Sequence, residues 1–267
     1  MIALHIREEI QRRLVQAEQN HDVKVIWAIE SGSRAWGFES PNSDYDARFI
    51  YVNRPAWYLS VGLEEQRDVI EYPIVDDLDV NGWDLRKALR LFWKSNPAFM
   101  EWIQSPIVYM QRGTFAERCR MLAADVYSIE SGIYHYRSMA KTNFRGYLRD
   151  PMVPLKKYFY VLRPLLAVRW LERHKAPAPI EFEKLLEVLD DPALLAAIDA
   201  LLEQKRSSPE LGLSPQIPAI QQFIVNELER IDGIVPPRLV RKDVEPKLSD
   251  LFRQVLTETW GVQILNL

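Results

Sequence analysis

The chain has 267 residues, enough for one large domain or two small ones, and its 48% hydrophobic content supplies a core and excludes extensive disorder. Its single cysteine, Cys119, excludes an internal disulfide framework, and no apolar run approaches the ~20 residues that span a bilayer, so we expect a soluble cytoplasmic protein without a membrane partner. The net charge of −3 argues against general binding of polyanions by the whole molecule.

The first predicted elements are a helix and two strands. Residues 4–18 place apolar side chains at helical spacing between charges, which predicts an amphipathic helix and no signal peptide. Residues 23–29 are short, β-branched and mostly apolar, as is typical of a buried strand. The turn at residues 31–33 ends that strand, and a second strand is predicted over residues 44–52.

Further along, the pattern changes from mixed to helical. Residues 68–83 predict one or two more strands, and Asp84 is a good N-cap for a helix that ends before Asn96-Pro97. From about residue 113 onward long helical patterns dominate. We therefore predict an α/β plus α protein, with a mixed β-sheet and flanking helices in residues 1–110 and an α-helical part in residues 111–267.

The segment between the first two strands carries the residues with catalytic potential. Gly32 permits an unusual φ and a close approach of ligand to backbone. Ser33 is expected to cap the short helix that follows, whose free N–H groups suit an anion such as a triphosphate. Asp44 and Asp46 are two apart on a strand and therefore point to one face. Paired carboxylates repel unless a cation neutralises them, and oxygen ligands suit one or two Mg²⁺ ions that assist phosphoryl transfer.

Several of these residues also have plainer explanations. Asn42 and Ser43 precede Asp44 and suit an ordinary Asx-type turn with solvated carboxylates. Arg34 and Arg48 are candidates for phosphate neutralisation, but arginine is also common on surfaces. The buried strand and the Gly-Ser turn at the right distance favour the catalytic interpretation.

The chain contains a Gly-Ser motif that is followed after ten residues by Asp-x-Asp. In this pattern it resembles the polymerase-β-type nucleotidyltransferase superfamily over residues 23–92. Up to about residue 172 the chain more closely resembles the predicted nucleotidyltransferases that are associated with RNA ligases in bacterial RNA-repair gene neighbourhoods. The closer resemblance rests on three groups of residues: Gly82-Trp83-Asp84-Leu85-Arg86-Lys87-Ala88-Leu89, Asn96-Pro97 with Glu101-Trp102, and Lys156-Lys157-Tyr158 with Arg163-Pro164.

The resemblance implies roles for the segment described above. Gly32 and Ser33 would hold the triphosphate, Asp44 and Asp46 would bind the metal, and the substrate would be an NTP, with ATP as the first candidate. It also implies a functional link to an RNA ligase. Arg34 and Lys87 are further candidates for nucleotide binding, although a surface salt bridge explains Lys87 equally well.

The superfamily also uses a third carboxylate, on a neighbouring strand, as a base or metal ligand. The candidates are Asp76, Asp77, Asp79 and Asp84. If the apolar residues between them face the core, Asp77 and Asp79 point toward the site. The N-cap role explains Asp84 better. We choose Asp79 as the third catalytic and metal-binding carboxylate, with Asp77 and Asp84 as alternatives.

A basic stretch lies between residues 133 and 175, where ten Lys and Arg face two acids. Aromatic residues are interleaved with the cations, a combination that suits bases and phosphates. A solvated helix face is the alternative, because four of the cations recur every four residues. The candidates for contact with substrate or phosphate are Arg137, Lys141, Arg145, Lys156, Lys157 and Arg163.

Three functions are consistent with these patterns. The first is Mg²⁺-dependent transfer of an NMP from an NTP to an acceptor hydroxyl, with an RNA end in RNA repair as a candidate acceptor. The second keeps the reaction but places the NMP on a protein or a small molecule. The third is a nucleotide- or RNA-binding module without turnover, which the intact Asp-x-Asp pair disfavours.

Overall fold

The computed structural model describes residues 2–207, 212–236 and 243–261. Helices and strands alternate in the first part of the chain: α1 (Leu4–His21), β1 (Lys24–Glu30), α2 (Gly32–Trp36), β2 (Tyr45–Val52), α3 (Pro55–Tyr58), β3 (Val69–Glu71), β4 (Leu78–Asp84), α4 (Leu85–Trp93), α5 (Pro97–Trp102) and β5 (Val108–Gln111). Helices then dominate: α6 (Phe115–Val126), α7 (Ile129–Tyr147), β6 (Met152–Pro154), α8 (Lys156–His174), α9 (Phe182–Leu185), α10 (Pro192–Ser207), β7 (Leu213–Pro215), α11 (Pro218–Asp232) and α12 (Glu245–Trp260). Within the described ranges, none of these helices has both the length and the apolar character that crossing a membrane requires.

Five strands form one mixed sheet in the order β3-β4-β2-β1-β5. Strand β2 runs antiparallel to β1 and parallel to β4, so it lies at the centre of the sheet. The apolar stripe of α1, formed by Ile10, Leu14 and Ala17, is fully buried in the cluster that covers one face of the sheet. The mixed sheet, its flanking helices and the helical remainder confirm the predicted fold class.

The contacts within the chain define two compact units. The first comprises Met1–Ala35, Asp44–Val126 and Arg241–Leu267, and the second comprises Trp36–Ser43 and Tyr127–Val240. This division differs from the predicted one at residues 110 and 111. In the first unit α6 packs on β1, and α12 packs on α4 and α6, because each presents an apolar face to that core.

The second unit is a helical bundle with its own core. Helix α8 is its central element, since buried residues cover most of its circumference, and it packs against α7, α9 and α11. Phe38, from the short segment 36–43, is stacked on Phe159 of α8 and is fully buried in this core. A buried charge, Glu227 of α11, is hydrogen bonded to the guanidinium groups of Arg169 and Arg230.

Candidate active site

Strands β2 and β4 bring two of the predicted carboxylates side by side. Their parallel register pairs Asp46 with Asp79, so the two residues lie opposite each other on adjacent strands. Leu78 and Val80 are each only 1% exposed, whereas Asp79 is half-buried on the other face of β4. The alternation on which the choice of Asp79 depended is therefore present. We call Asp46 and Asp79 the carboxylate pair.

Arg48 connects the carboxylate pair. Its Nη2 atom donates to Asp79 Oδ2 at 2.7 Å and to Asp46 Oδ1 at 3.0 Å, and its Nη1 donates to the Asp79 carbonyl at 2.9 Å. The second oxygen of Asp79 accepts from Asn81 Nδ2. Both Asp79 oxygens are thus engaged, and one guanidinium offsets the repulsion between two partly buried carboxylates.

The surroundings of Asp46 disfavour its ionised form. Burial raises the pKa of this carboxyl, and the neighbouring carboxylates of Asp79 and Asp44 raise it further, while the Arg48 guanidinium opposes the rise. Asp44 itself is exposed, one residue before β2 begins. A second cation at this point would therefore stabilise the ionised form of Asp46.

The first residue of α2 lies directly against Asp46. Gly32 has φ +60°, and a Cβ at this position would be 2.0 Å from Asp46 Oδ2, so only glycine leaves room for the carboxylate. The Ser31 amide donates to the Asp46 carbonyl at 2.8 Å, which holds the turn to β2. The expectation that Ser33 caps α2 is wrong, because the helix already begins at Gly32 and Ser33 lies in its first turn.

Glu30, at the end of β1, is a site residue that the sequence reasoning missed. It is fully buried, and its carboxylate accepts from the Asp46 amide at 3.0 Å and from the Tyr109 hydroxyl. Burial raises its pKa to about 7, and the Asp46 carboxylate adds to the rise, while the two hydrogen bonds lower it. The sequence feature that could have identified Glu30 is an acid at the end of a mostly apolar, buried strand.

Arg34 lies beside the first aspartate of the motif. Its Nε donates to the Asp44 carbonyl at 3.3 Å, and its guanidinium lies 3.9 Å from the centroid of the Tyr45 ring. The structure thus places this predicted nucleotide ligand at the start of β2, in the same unit as the carboxylate pair.

Asp77 and Asp84, the alternatives to Asp79 as the third carboxylate, lie in different environments. Asp84 is 1% exposed and caps α4 by accepting from the amides of Arg86 and Lys87, which confirms the N-cap prediction. Asp77 lies in the turn before β4, with φ +58°, and its carbonyl accepts from the Tyr45 amide. Lys87, predicted to bind nucleotide, forms an ion pair with Asp68 at 2.8 Å.

A metal site can be tested against these side chains. Among residues 2–207, 212–236 and 243–261, no group of three or more His, Cys, Asp or Glu has the arrangement to hold a metal ion. The donor chemistry nevertheless suits a hard cation, because two carboxylates in register face one guanidinium and Asp46 carries uncompensated charge. The assignment of Asp44, Asp46 and Asp79 as metal ligands stays a prediction.

In the second unit, the structure gives two of the predicted phosphate ligands internal partners. Arg137 donates to the carbonyls of Ile231 and Ile234 near the end of α11, and Lys141 forms an ion pair with Asp232. Cations suit this position because a helix C-terminus carries partial negative charge. Arg145 is exposed, and its Nε donates to the Lys141 carbonyl in the preceding turn of α7 at 3.3 Å.

The other three predicted phosphate ligands lie on α8, near aromatic rings. The Lys157 ammonium is 4.1 Å from the Tyr147 ring centroid and 4.7 Å from that of Tyr160, and Arg163 is buried over the Trp36 ring at 4.4 Å. Lys156 is exposed at the first position of the helix.

The central strand of a mixed sheet, a Gly-Ser turn against it and an Asp-x-Asp pair that opens it are the features of a polymerase-β-type nucleotidyltransferase. A family model described as the RNA repair pathway DNA polymerase beta family (RlaP) matches residues 6–254, and the chain therefore belongs to that family. Membership indicates a transferase and supports nucleotidyl transfer as the reaction class.

The chain is similar to two other proteins. The uncharacterized protein YcgL of Bacillus subtilis (strain 168) is 46% identical over 257 residues, which cover 96% of this chain and 98% of that protein. A nucleotidyltransferase-like protein of Exiguobacterium sibiricum 255-15, known from a crystal structure, is 14% identical with a TM-score of 0.28, covering 93% of this chain and 79% of that one.

Proposed function

We propose that the protein is a Mg²⁺-dependent nucleotidyltransferase that moves an NMP from an NTP to an acceptor hydroxyl, with ATP as the first candidate donor. The carboxylate pair supports this proposal most strongly. Asp46 and Asp79 lie in register on parallel strands, close enough to share one guanidinium nitrogen, and Gly32 leaves space beside Asp46 that no other residue would.

Each residue then has a defined role. Asp46 and Asp44 would hold the metal, and Asp79 would serve as the third ligand or as the base that accepts the proton of the attacking hydroxyl. Gly32 and Ser33 would hold the triphosphate at the turn, with Arg34 nearby. A bound Mg²⁺ would supply charge neutralisation at the phosphoryl oxygens.

We further propose that an RNA end is the acceptor, in a cytoplasmic RNA-repair reaction that functions with an RNA ligase. The family description names an RNA repair pathway, and cations beside aromatic rings on α7 and α8 suit the backbone and bases of single-stranded RNA. A protein or small-molecule acceptor is the alternative within the same chemistry.

A module that binds nucleotide without turnover is the second candidate. The observation that favours it is the full engagement of Asp79 by Arg48 and Asn81. In an active enzyme, a metal held by these carboxylates would compete with Arg48 for their oxygens. In a binding module this arrangement would persist.

The test offers the purified protein Mg²⁺, each α-³²P-labelled NTP, and RNA ends, total protein or small molecules as acceptors. Label on RNA that disappears in the Asp44→Ala/Asp46→Ala variant is the expected result. Asp76→Asn is the matched control, because that carboxylate is 84% exposed and its positive φ suits Asn. Label on protein or a small molecule would contradict the RNA acceptor, and bound nucleotide without transfer would favour the binding module.

A further inference from the structure

Helix α8 begins in a way that is electrostatically unfavourable for the protein alone. Its first two residues, Lys156 and Lys157, place cations at the positive end of a helix of 19 residues. The first turn contains no acid, and no side chain caps it in the described part of the chain. Such a helix start is complementary to an anion. By itself this feature does not define a site, but a second observation points to the same place.

The second observation is a buried lysine that has no partner among the described residues. Lys205 of α10 is 6% exposed, and within residues 2–207, 212–236 and 243–261 its ammonium has no hydrogen bond or ion pair. The ammonium lies 5.7 Å from the centroid of the Phe38 ring, and Phe38 is stacked on Phe159, the fourth residue of α8. Buried charges normally have partners, as Glu227 has in the same unit with Arg169 and Arg230.

Lys205 and the start of α8 belong to one electrostatic environment. Burial lowers the pKa of Lys205, and the positive charge of Lys156 lowers it further, while Glu39 opposes the change. Two like charges within interaction range, one of them buried, destabilise the unit unless an anion binds between them. With Lys157 and Arg163 they form what we call the cation cluster.

Aromatic rings surround the cation cluster. Trp36 lies beneath Arg163 and contacts Tyr160 edge to face, with ring centroids 6.1 Å apart. Tyr147 and Tyr160, which flank Lys157, are 43% and 36% exposed. Partly exposed rings beside cations suit a nucleobase next to a phosphate.

We propose that Lys156, Lys205 and the amides at the start of α8 form a binding site for a phosphate group, with Lys157 and its two tyrosine rings beside it. The phosphate belongs either to the triphosphate of a nucleotide or to a terminal phosphate of an RNA strand. This inference rests on the proposed function only for the identity of the ligand. The site is built from residues of the second unit and needs none of the carboxylates.

The experiment measures binding without metal, in EDTA, so that the carboxylates cannot contribute through Mg²⁺. The probes are tripolyphosphate, a short oligoribonucleotide with a terminal phosphate, and the same oligoribonucleotide with hydroxyl ends. Lys156→Gln and Lys205→Met are the variants. Lys175→Gln is the matched control, because it makes the same change of charge at an exposed position at the other end of α8.

Each variant is expected to weaken binding about tenfold or more, the effect of losing one charge-assisted contact, with little effect of Lys175→Gln. Weakening seen with tripolyphosphate identifies a nucleotide as the source of the phosphate. Weakening confined to the phosphorylated oligoribonucleotide identifies an RNA end. Unchanged binding in both variants, or equal weakening in the control, would overturn the proposal.

Stability provides an independent readout. Because burial disfavours the charged form of Lys205 and no described residue pairs with it, Lys205→Met should keep or raise the melting temperature while it weakens phosphate binding. A lower melting temperature with unchanged phosphate binding would show a structural lysine and overturn the assignment. Should Lys205→Met fail to fold, Lys156→Gln at its exposed position still decides the question. The Asp44→Ala/Asp46→Ala variant should keep phosphate binding even if the proposed transfer reaction is wrong.

Discussion

The carboxylate pair of the first unit and the cation cluster of the second unit differ in how their partly buried charges are compensated. Asp46 and Asp79 share Arg48 within 3.0 Å, so one guanidinium offsets part of the negative charge of the pair. Lys205 is buried with no such partner among the described residues. The difference shows that charge which is partly compensated within the chain needs less help from a ligand, whereas a buried charge with no partner among the described residues is maintained at the expense of stability.

The largest expected effect separates structural from functional acids within the first unit. Asp84 accepts from the Tyr58 hydroxyl at 2.6 Å, Asn53 Nδ2 at 2.9 Å and the Arg86 amide at 2.8 Å. Asp84→Ala leaves these buried donors unsatisfied and should lower the free energy of unfolding by about 3–5 kcal/mol.

Asp79→Ala is the matched comparison for this prediction. It should cost about 1–2 kcal/mol, because the groups that bond Asp79 are less buried, yet it should abolish nucleotidyl transfer. Urea denaturation and the transfer assay together measure both effects. Equal destabilisation by the two changes would show that the carboxylate pair is also structural.

The second prediction concerns Glu30, whose pKa rises from 4.5 to about 7. The folded state then binds more protons than the unfolded state between these values, so stability should fall as the pH rises from 4.5 to about 7. At about 1.4 kcal/mol per pKa unit the total is on the order of 3 kcal/mol. Urea midpoints across this range should lose the dependence in Glu30→Gln, and an unchanged slope would contradict the prediction.

For Lys205 the predicted dependence of stability on pH has the opposite sign to that for Glu30. Its pKa is lowered, mainly by burial, so the unfolded state binds more protons than the folded state below the ordinary value of 10.5. Stability should therefore increase with pH on the alkaline side, and Lys205→Met should remove that increase.

The third prediction tests the turn that adjoins Asp46. Gly32→Ala should cost about 1–2 kcal/mol for the left-handed backbone alone, and the clash with Asp46 Oδ2 should add to this and abolish transfer. Gly37→Ala is the control, since it has φ +82° but open space around a Cβ. Similar losses of activity in both variants, measured beside their melting temperatures, would refute a specific role for the contact with Asp46.

The smallest effect concerns Arg137, whose bonds to Ile231 and Ile234 complete the end of α11. Arg137→Gln should destabilise by about 1 kcal/mol and leave phosphate binding unchanged. The exposed Arg145→Gln should change stability by less. A loss of phosphate binding in Arg137→Gln would place this arginine with the cation cluster and enlarge the proposed site.

Local patterns in the sequence were sufficient to predict part of the structure. The buried strand, the Gly-Ser turn and the N-cap at Asp84 could be predicted because each depends on residues within a few positions of one another. The same holds for the apolar stripe of α1, whose period matches the helix. Family and fold class followed from these motifs.

Only the tertiary structure determined which side chains meet. Asp46 and Asp79 lie opposite each other because two strands distant in sequence pair in parallel, and no local pattern specifies that register. Burial likewise separates Glu30 and Lys205 from most of the other acids and lysines that the structure describes. Which charges are buried, and whether they have partners, depends on the packing of distant elements, so sequence spacing alone does not determine it.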